Sequence, residues 1–156
     1  MIEIVVPGNR TLRLQHLVMD YNGTLAQDGR LLEGILSRLD SLADQLNVHV
    51  ITADTFGIAQ EELVGVRCNL AILSGDEQAT ARLAYIRNLS PDGVAAIGNG
   101  RNDRLMLAAA ALGIAVVQEE GAAFEALSAA DVVVSGVQSA LDMLLFPKRL
   151  IATLRS

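Results

Sequence analysis

The chain has 156 residues, of which 51% are hydrophobic and 19% charged, and its formal net charge is −6. This length and apolar content predict one globular domain over residues 1–156. The acidic balance, without a basic run, argues against nucleic-acid binding, and an anionic substrate would need a cation or local amides around it. Cys68 is the only cysteine, which excludes an internal disulfide and fits a reducing compartment.

No segment of the sequence predicts a membrane span or a secretory leader. The longest uncharged stretch, residues 105–118, is too short to cross a bilayer and is interrupted by Gly113. We therefore expect a cytoplasmic protein with no membrane partner. The high apolar content beside only 3% aromatic residues favours burial against another copy, so a homo-oligomer is expected.

The N-terminal residues predict a small β-hairpin without chemistry of its own. Residues 2–6 and 11–14 are alternating or β-branched runs on either side of Pro7-Gly8-Asn9, a turn sequence. The predicted divisions of the single domain are the hairpin 1–15, the core 16–145 and a C-terminal tail or helix, 146–156.

Beyond the hairpin, short apolar strands alternate with helical patterns. This alternation builds βαβ units, hence a mostly parallel sheet with helices on both faces, a three-layer Rossmann-like α/β fold whose strand order the pattern leaves open. The predicted strands are 16–19, 48–51, 66–73, 94–97, 113–117 and 132–134. The predicted helices are 32–46, 58–63, 74–89, 104–111, 122–127 and 137–145, the third opened by a capping box of Ser74 and Glu77.

Asp20 stands at the carboxyl end of the first core strand and is followed by the turn Asn22-Gly23-Thr24. Open α/β sheets place their ligands at this edge. A carboxylate there can be a nucleophile, a metal ligand or both, and the plain alternative is an aspartate that stabilises the turn.

Two further polar groups follow parallel strands in the same way, Thr52 and the loop of residues 99–103. If their strands are neighbours, these groups converge with Asp20. The set matches phosphoryl transfer to a carboxylate. Asp20 would attack phosphorus, amides of residues 22–24 would hold phosphoryl oxygens with Gly23 allowing close approach, and the Thr52 hydroxyl would donate a hydrogen bond.

The same edge offers oxygen ligands for magnesium. Asp20, the Asn22 carbonyl, Asn99 and Asp103 are oxygen donors of the type that Mg²⁺ prefers. The ion would shield Asp20 from the phosphate charge and orient in-line attack. Neither histidine lies in a His/Cys cluster, so zinc is not indicated.

These ordered motifs resemble the haloacid dehalogenase (HAD) superfamily, whose first motif is Asp-x-Asp-Gly-Thr. Thr52-Ala53-Asp54 is similar to the Thr-Gly-Asp of P-type ATPase phosphorylation domains, and the sequence of residues 98–103, Gly-Asn-Gly-Arg-Asn-Asp, to their Gly-Asp-Gly-x-Asn-Asp. The chain resembles the small soluble P-type ATPase-like group. The resemblance implies a HAD fold, magnesium, an aspartyl-phosphate on Asp20, and phosphate contacts that include Ala53.

The chain departs from the HAD pattern at the position two residues after the nucleophile. There, HAD phosphatases carry an aspartic acid that protonates the leaving group and then activates water, whereas this chain has Asn22. General acid–base catalysis is worth about 10²–10⁴-fold, so turnover should be slow. Asp54 is the nearest substitute by motif position, and its alternative role is a turn-stabilising residue.

Asn99 replaces the first aspartate of the fourth HAD motif, a direct metal ligand. Its amide oxygen still coordinates but carries no charge, so magnesium affinity should fall. Asp103 then becomes the main second acid, directly or through water, or it caps the helix that follows.

The family also carries a lysine that bridges the nucleophile and the phosphate. The single lysine of this chain, Lys148, lies far downstream. Arg82 is closest to the expected position, and a guanidinium can hold phosphate bidentately. The alternative is that Arg82 is a solvated helix residue.

Other α/β domains fit less well. A receiver domain needs an acidic pair after its first strand and a strand-end lysine, and this chain has neither. A dinucleotide-binding domain needs the sequence Gly-x-Gly-x-x-Gly after its first strand, and that sequence is missing too. A non-catalytic HAD module that binds magnesium and a phosphorylated ligand or a partner protein remains the alternative to a phosphatase or phosphotransferase. The motif spacing leaves no room for a cap domain beyond residues 21–31, so the site should be open to a small phosphorylated substrate or a phosphoprotein.

Overall fold

The computed structural model describes residues 1–54 and 57–156. An antiparallel hairpin comes first, formed by β1 (Ile2–Val5) and β2 (Thr11–Leu14). The core strands are β3 (His16–Asp20), β6 (Asn47–Thr52), β7 (Asn69–Ile72), β8 (Val94–Gly98), β9 (Leu112–Val116) and β10 (Val132–Val134). Two short strands, β4 (Ala26–Gln27) and β5 (Arg30–Leu31), form a second hairpin after β3.

The core strands form one parallel six-stranded sheet in the order β10-β9-β8-β3-β6-β7. Its helices are α1 (Ile35–Ala43), α2 (Ile58–Glu62), α3 (Gln78–Asn88), α4 (Arg104–Ala109), α5 (Phe124–Ala129), α6 (Val137–Leu145) and α7 (Pro147–Leu154). Short 3-10 turns cover Pro91–Gly93 and Arg101–Asp103. The predicted three-layer α/β fold with an N-terminal hairpin is confirmed, and only the β4–β5 hairpin stands between β3 and α1, where a cap would be inserted.

The two faces of the sheet are covered by separate groups of helices, because side chains alternate along each strand. On β3, Leu17 and Met19 belong to the apolar cluster that includes residues of α1 and α6. Val18 points to the other face and belongs to the cluster with Ile86 and Met106, on α3 and α4. Burial on both faces explains why these strands are continuous apolar runs.

Strand order positions the candidate site. β3 lies between β6 and β8, with Asp20 beside Ile51 and Met19 beside Ile97 in register. The carboxyl ends of these three strands are therefore neighbours, which is the condition that the sequence left open.

The start of α3 differs from the prediction. Glu77 is the residue before the helix and makes no side-chain capping hydrogen bond, so the predicted capping box with Ser74 is wrong. The Gln78 side chain instead donates to the carbonyls of Leu73, at 2.7 Å, and Gly75, at 2.9 Å. These bonds order the residues that precede the helix, and the helix begins at residue 78 instead of the predicted residue 74.

A chain of polar contacts ties α3 to the sheet. His49 is buried on β6, and its Nε2 lies 3.1 Å from Nδ1 of His16, while its Nδ1 lies 2.8 Å from the Tyr85 hydroxyl of α3. Burial, and then the neighbouring His16 ring, lower the pKa of His49.

Among the described residues there is no helix with both the length and the apolar character needed to cross a bilayer.

We expect acid to destabilise the wild-type protein more than a His49→Gln variant. The folded state lowers the pKa of His49 below its unfolded value of about 6.5, so the unfolded chain binds this proton more readily. The contribution of neutral His49 to the free energy of unfolding is complete above about pH 6.5 and is lost as the pH falls below it. Urea unfolding between about pH 7.5 and about pH 5.5 should show a steeper loss for wild type, and parallel profiles would contradict this.

Candidate active site

Three neighbouring strands end in the side chains that the sequence singled out. Asp20 is the last residue of β3, Thr52 is the last residue of β6, and Asn99 directly follows β8. All three side chains are buried at this edge of the sheet. The structure therefore brings the predicted candidates together.

Arg82 enters the same site from α3 and is only 3% exposed. Its Nη1 lies 2.6 Å from Oδ1 of Asp20 and 2.8 Å from Oδ1 of Asp103. One guanidinium thus bridges two buried carboxylates. The alternative of a solvated helix residue does not fit this burial.

Asp103 is fully buried, and both of its oxygens have partners. Besides Oδ1 on Arg82, Oδ2 accepts the backbone N–H groups of Asn99, at 3.0 Å, and Gly100, at 2.9 Å. A Cβ on Gly98 would lie 2.5 Å from Cγ of Asp103, so only glycine fits there. Asp103 closes the turn before α4 and holds Arg82.

The electrostatics follow from two carboxylates sharing one cation in a buried site. Burial, and then the charge of Asp103, raise the pKa of Asp20 to about 7, against the opposing effect of Arg82. Burial also raises the pKa of Asp103, and Arg82 again opposes the shift. Burial alone would lower the pKa of Arg82, but the two carboxylates outweigh it and raise that pKa. The guanidinium is therefore charged, while Asp20 titrates near neutrality.

The Arg82 guanidinium also has a buried nitrogen without a partner among residues 1–54 and 57–156. Within the described parts of the chain, the buried Nε of Arg82 has no hydrogen-bond acceptor. An unsatisfied buried donor costs about 1–3 kcal/mol, and such groups are typical of functional sites. Arg82 thus keeps donor capacity beyond its two carboxylates.

The loop after Asp20 packs tightly against Asn99. Gly23 has φ +78°, and a Cβ there would lie 2.4 Å from Nδ2 of Asn99, so glycine is required. The N–H of Gly23 donates to the Ala26 carbonyl, and the N–H of Thr24 donates to the Tyr21 carbonyl. These two amides brace the loop, which differs from the expectation that they hold phosphoryl oxygens.

Thr52 and Asn22 remain available to a ligand in different ways. The Thr52 hydroxyl oxygen accepts the N–H of Asp54 at 3.2 Å, which leaves its proton free to donate. Asn22 is exposed at the entrance. Ala53 is exposed at the rim beside Thr52.

Asp54 is engaged elsewhere. Its carboxylate accepts the N–H of Ala59 at 3.0 Å and of Gln60 at 3.3 Å, in the first turn of α2. This geometry is that of a turn-stabilising and helix-capping residue, the alternative role considered for it. It does not favour Asp54 as the substitute general acid.

Gln118 is a site residue that the sequence reasoning missed. Its Nε2 donates to the carbonyls of Gly23, at 3.1 Å, and Thr24, at 2.9 Å, and its Oε1 accepts the N–H of Val137 at the start of α6. Gln118 thus ties the loop after Asp20 to α6. Its position just after β9, at the same sheet edge, was the one signal that pointed to it.

The donor set fits a hard divalent cation that keeps most of its waters. Oδ2 of Asp20 and Oδ1 of Asn99 each lie 3.4 Å from the Thr24 hydroxyl, so they face a common point. Nδ2 of Asn99 donates to the Gly121 carbonyl, which fixes Oδ1 toward the site. Both oxygens suit Mg²⁺. No three His, Cys, Asp or Glu side chains gather as a metal cage within residues 1–54 and 57–156.

The comparisons with known sequences agree with this fold. Residues 77–138 match the family model of haloacid dehalogenase-like hydrolases. An uncharacterised protein of Methanocaldococcus jannaschii is 48% identical over 62 residues, which are 40% of this chain and 67% of that protein. Another uncharacterised protein of the same organism is 38% identical over 39 residues, 25% of this chain and 89% of that protein. The chain belongs to the haloacid dehalogenase-like hydrolases.

Solved structures share the fold at low sequence identity. The cobalt-bound deoxy-D-mannose-octulosonate 8-phosphate phosphatase of Haemophilus influenzae has a TM-score of 0.72 at 18% identity and covers 92% of this chain and 94% of its own. The 3-deoxy-D-manno-octulosonate 8-phosphate phosphatase of Moraxella catarrhalis, solved with magnesium, phosphate and KDO, has a TM-score of 0.70 at 16% identity, over 91% of this chain and 94% of its own. The likeness confirms the HAD fold.

Replacing Arg82 with methionine should destabilise the protein by about 3–5 kcal/mol, because it leaves Asp20 and Asp103 buried without their shared cation. Arg82→Lys should retain part of this stability. As a matched control, Arg67→Met removes a cation from two exposed carboxylates, Asp40 and Asp44, and should change the urea midpoint little. Equal losses in the Arg82 and Arg67 variants would contradict a special role for the buried bridge.

Proposed function

We propose that this protein is a magnesium-dependent phosphatase or phosphotransferase that works through an aspartyl-phosphate on Asp20. The observation that carries the proposal is the buried Asp20 carboxylate, held by Arg82 beside Thr52 and Asn99 at the edge of the sheet. By analogy with the octulosonate 8-phosphate phosphatases, the substrate is a small phosphate ester, and the open site also admits a phosphoprotein.

In the first step, an ionised oxygen of Asp20 attacks phosphorus and the bond between phosphorus and the leaving oxygen breaks. The Thr52 hydroxyl donates a hydrogen bond to a phosphoryl oxygen, as does the backbone amide of Asn22. Arg82 stabilises the negative charge that builds up beside Asp20. The Asp20 pKa of about 7 means that the nucleophile is partly ionised in the free protein at neutral pH.

Asp20, the Asn22 carbonyl and Asn99 would hold the magnesium ion, which when bound supplies positive charge beside the phosphoryl group. Asp103 positions the guanidinium of Arg82 and would help to hold the ion, directly or through water. Because Asn99 brings no charge, magnesium binding should be weak.

The missing acid at position 22 makes proton transfer the slow part of the cycle. Asn22 cannot protonate the leaving oxygen, which must take its proton from water, and it cannot activate the water that later attacks the phosphoenzyme. Turnover is therefore slow, and leaving groups that depart as stable anions are favoured. We also propose that the protein belongs to the soluble P-type ATPase-like group, forms a homo-oligomer and is cytoplasmic.

A non-catalytic module that binds magnesium and a phosphorylated ligand is the second candidate. Asn22 and Asn99 favour it, since both replace carboxylates of the family pattern. The buried Asp20, with a charged Arg82 at 2.6 Å, opposes it, because a pure binder has no need of a nucleophile there.

Hydrolysis of p-nitrophenyl phosphate, with and without magnesium, tests the proposal. Wild type should show slow, magnesium-stimulated turnover, Asp20→Asn should abolish it, and Asn22→Asp should raise it by about 10²–10⁴-fold by restoring the group that activates water for attack on the phosphoenzyme. Asp54→Asn is the matched control, and its helix-capping contacts predict little change in rate. Inert wild type and Asn22→Asp, together with failure of beryllofluoride to bind Asp20, would establish the binding module instead.

A further inference from the structure

A cavity of about 240 Å³ lies beside the loop that follows Asp20. Its walls come from that loop, from the β4–β5 hairpin and from the segment after β9. The lining includes Gly23, Gln27, Gln118, Glu119, Glu120 and Ser135. The cavity is small, below the usual range of about 300–1,000 Å³ for drug-sized ligands.

The walls of this cavity are attached directly to the candidate active site. Gln118 donates to the carbonyls of Gly23 and Thr24 at 3.1 and 2.9 Å. Gly121, from the same segment after β9, accepts a hydrogen bond from Asn99 at 3.1 Å. The cavity therefore lies against the loop that begins after Asp20, and Gly23 of that loop is part of its lining.

The lining has a definite charge. None of its residues is lysine, arginine or histidine, while Glu119 and Glu120 each contribute an exposed carboxylate. Gln27 and Ser135 are exposed and carry groups that pair with hydroxyls. A ligand carboxylate here would face two like charges without a compensating cation, whereas an ammonium group would face two opposite charges.

We propose that this cavity is the leaving-group subsite and that it selects small hydroxylated phosphate esters that carry an amine over those that carry a carboxylate. The inference rests on the proposed function, because it assumes that the phosphoryl group binds at Asp20. It adds an order of preference, amine over neutral over acid, that follows from Glu119 and Glu120. Glutamine at both positions keeps the size and hydrogen bonding of the wall and removes its charge.

The test compares three esters of similar size, glucosamine 6-phosphate, glucose 6-phosphate and 6-phosphogluconate. Wild-type kcat/KM should be about tenfold or more higher for the amine than for the acid, because two exposed carboxylates attract an ammonium group and repel a ligand carboxylate. The double variant Glu119→Gln/Glu120→Gln should bring this ratio to within about threefold of unity. The control double variant Glu3→Gln/Asp92→Asn changes the net charge equally, away from this cavity, and should keep the wild-type ratio.

Binding provides a readout that does not need turnover. In an Asp20→Asn background, calorimetric titration should give the same order of Kd for the three esters and the same collapse in the double glutamine variant. A wild-type preference ratio of amine over acid that is near unity or below it would overturn the proposed subsite. A ratio that is unchanged in the double glutamine variant would overturn it as well. Turnover of p-nitrophenyl phosphate by wild type beside such a result would leave the proposed function standing, so the two failures are distinguishable.

Discussion

The bridge from Arg82 to Asp20 and Asp103 is the interaction on which the candidate site depends. Two carboxylates at the buried end of a sheet would repel each other, and burial would neutralise at least one of them. A single guanidinium at 2.6 and 2.8 Å keeps charge in the site at neutral pH. Because it comes from α3 and its partners come from the sheet edge and the turn before α4, the bridge also joins three separate parts of the fold.

The sheet order gives this bridge its setting. β3 at the centre, with β6 and β8 on either side, brings Thr52 and Asn99 next to Asp20. Asn99 then connects the loop after β3 with the segment after β9 through its amide group. The site is therefore built from loops that follow four strands, and hydrogen bonds join the loops after β3, β8 and β9.

Local patterns were sufficient to predict the six core strands and the edge at which Asp20 lies, because period and turn chemistry act over a few residues. Arg82 was instead indicated by the family resemblance, as the residue closest to the expected lysine. Contacts between distant residues were beyond those patterns. Gln118 bonds partners 94 and 95 residues away. The Gly23 and Thr24 amides, by contrast, are engaged within their own turn, where the chain turns back into β4. The start of α3 was mispredicted since Gln78, rather than Ser74, orders its first turn.

The attachment of α3 has a consequence for how the molecule responds to chemistry at its sheet edge. Only Arg82 and Ile86 of this helix are buried, whereas α6 buries four apolar side chains. Ion pairs and hydrogen bonds to histidine change strength with protonation and ligation, while apolar contacts do not. We therefore expect neutralisation of Asp20 to weaken the contact of α3 with the sheet more than that of α6, whose buried side chains are apolar.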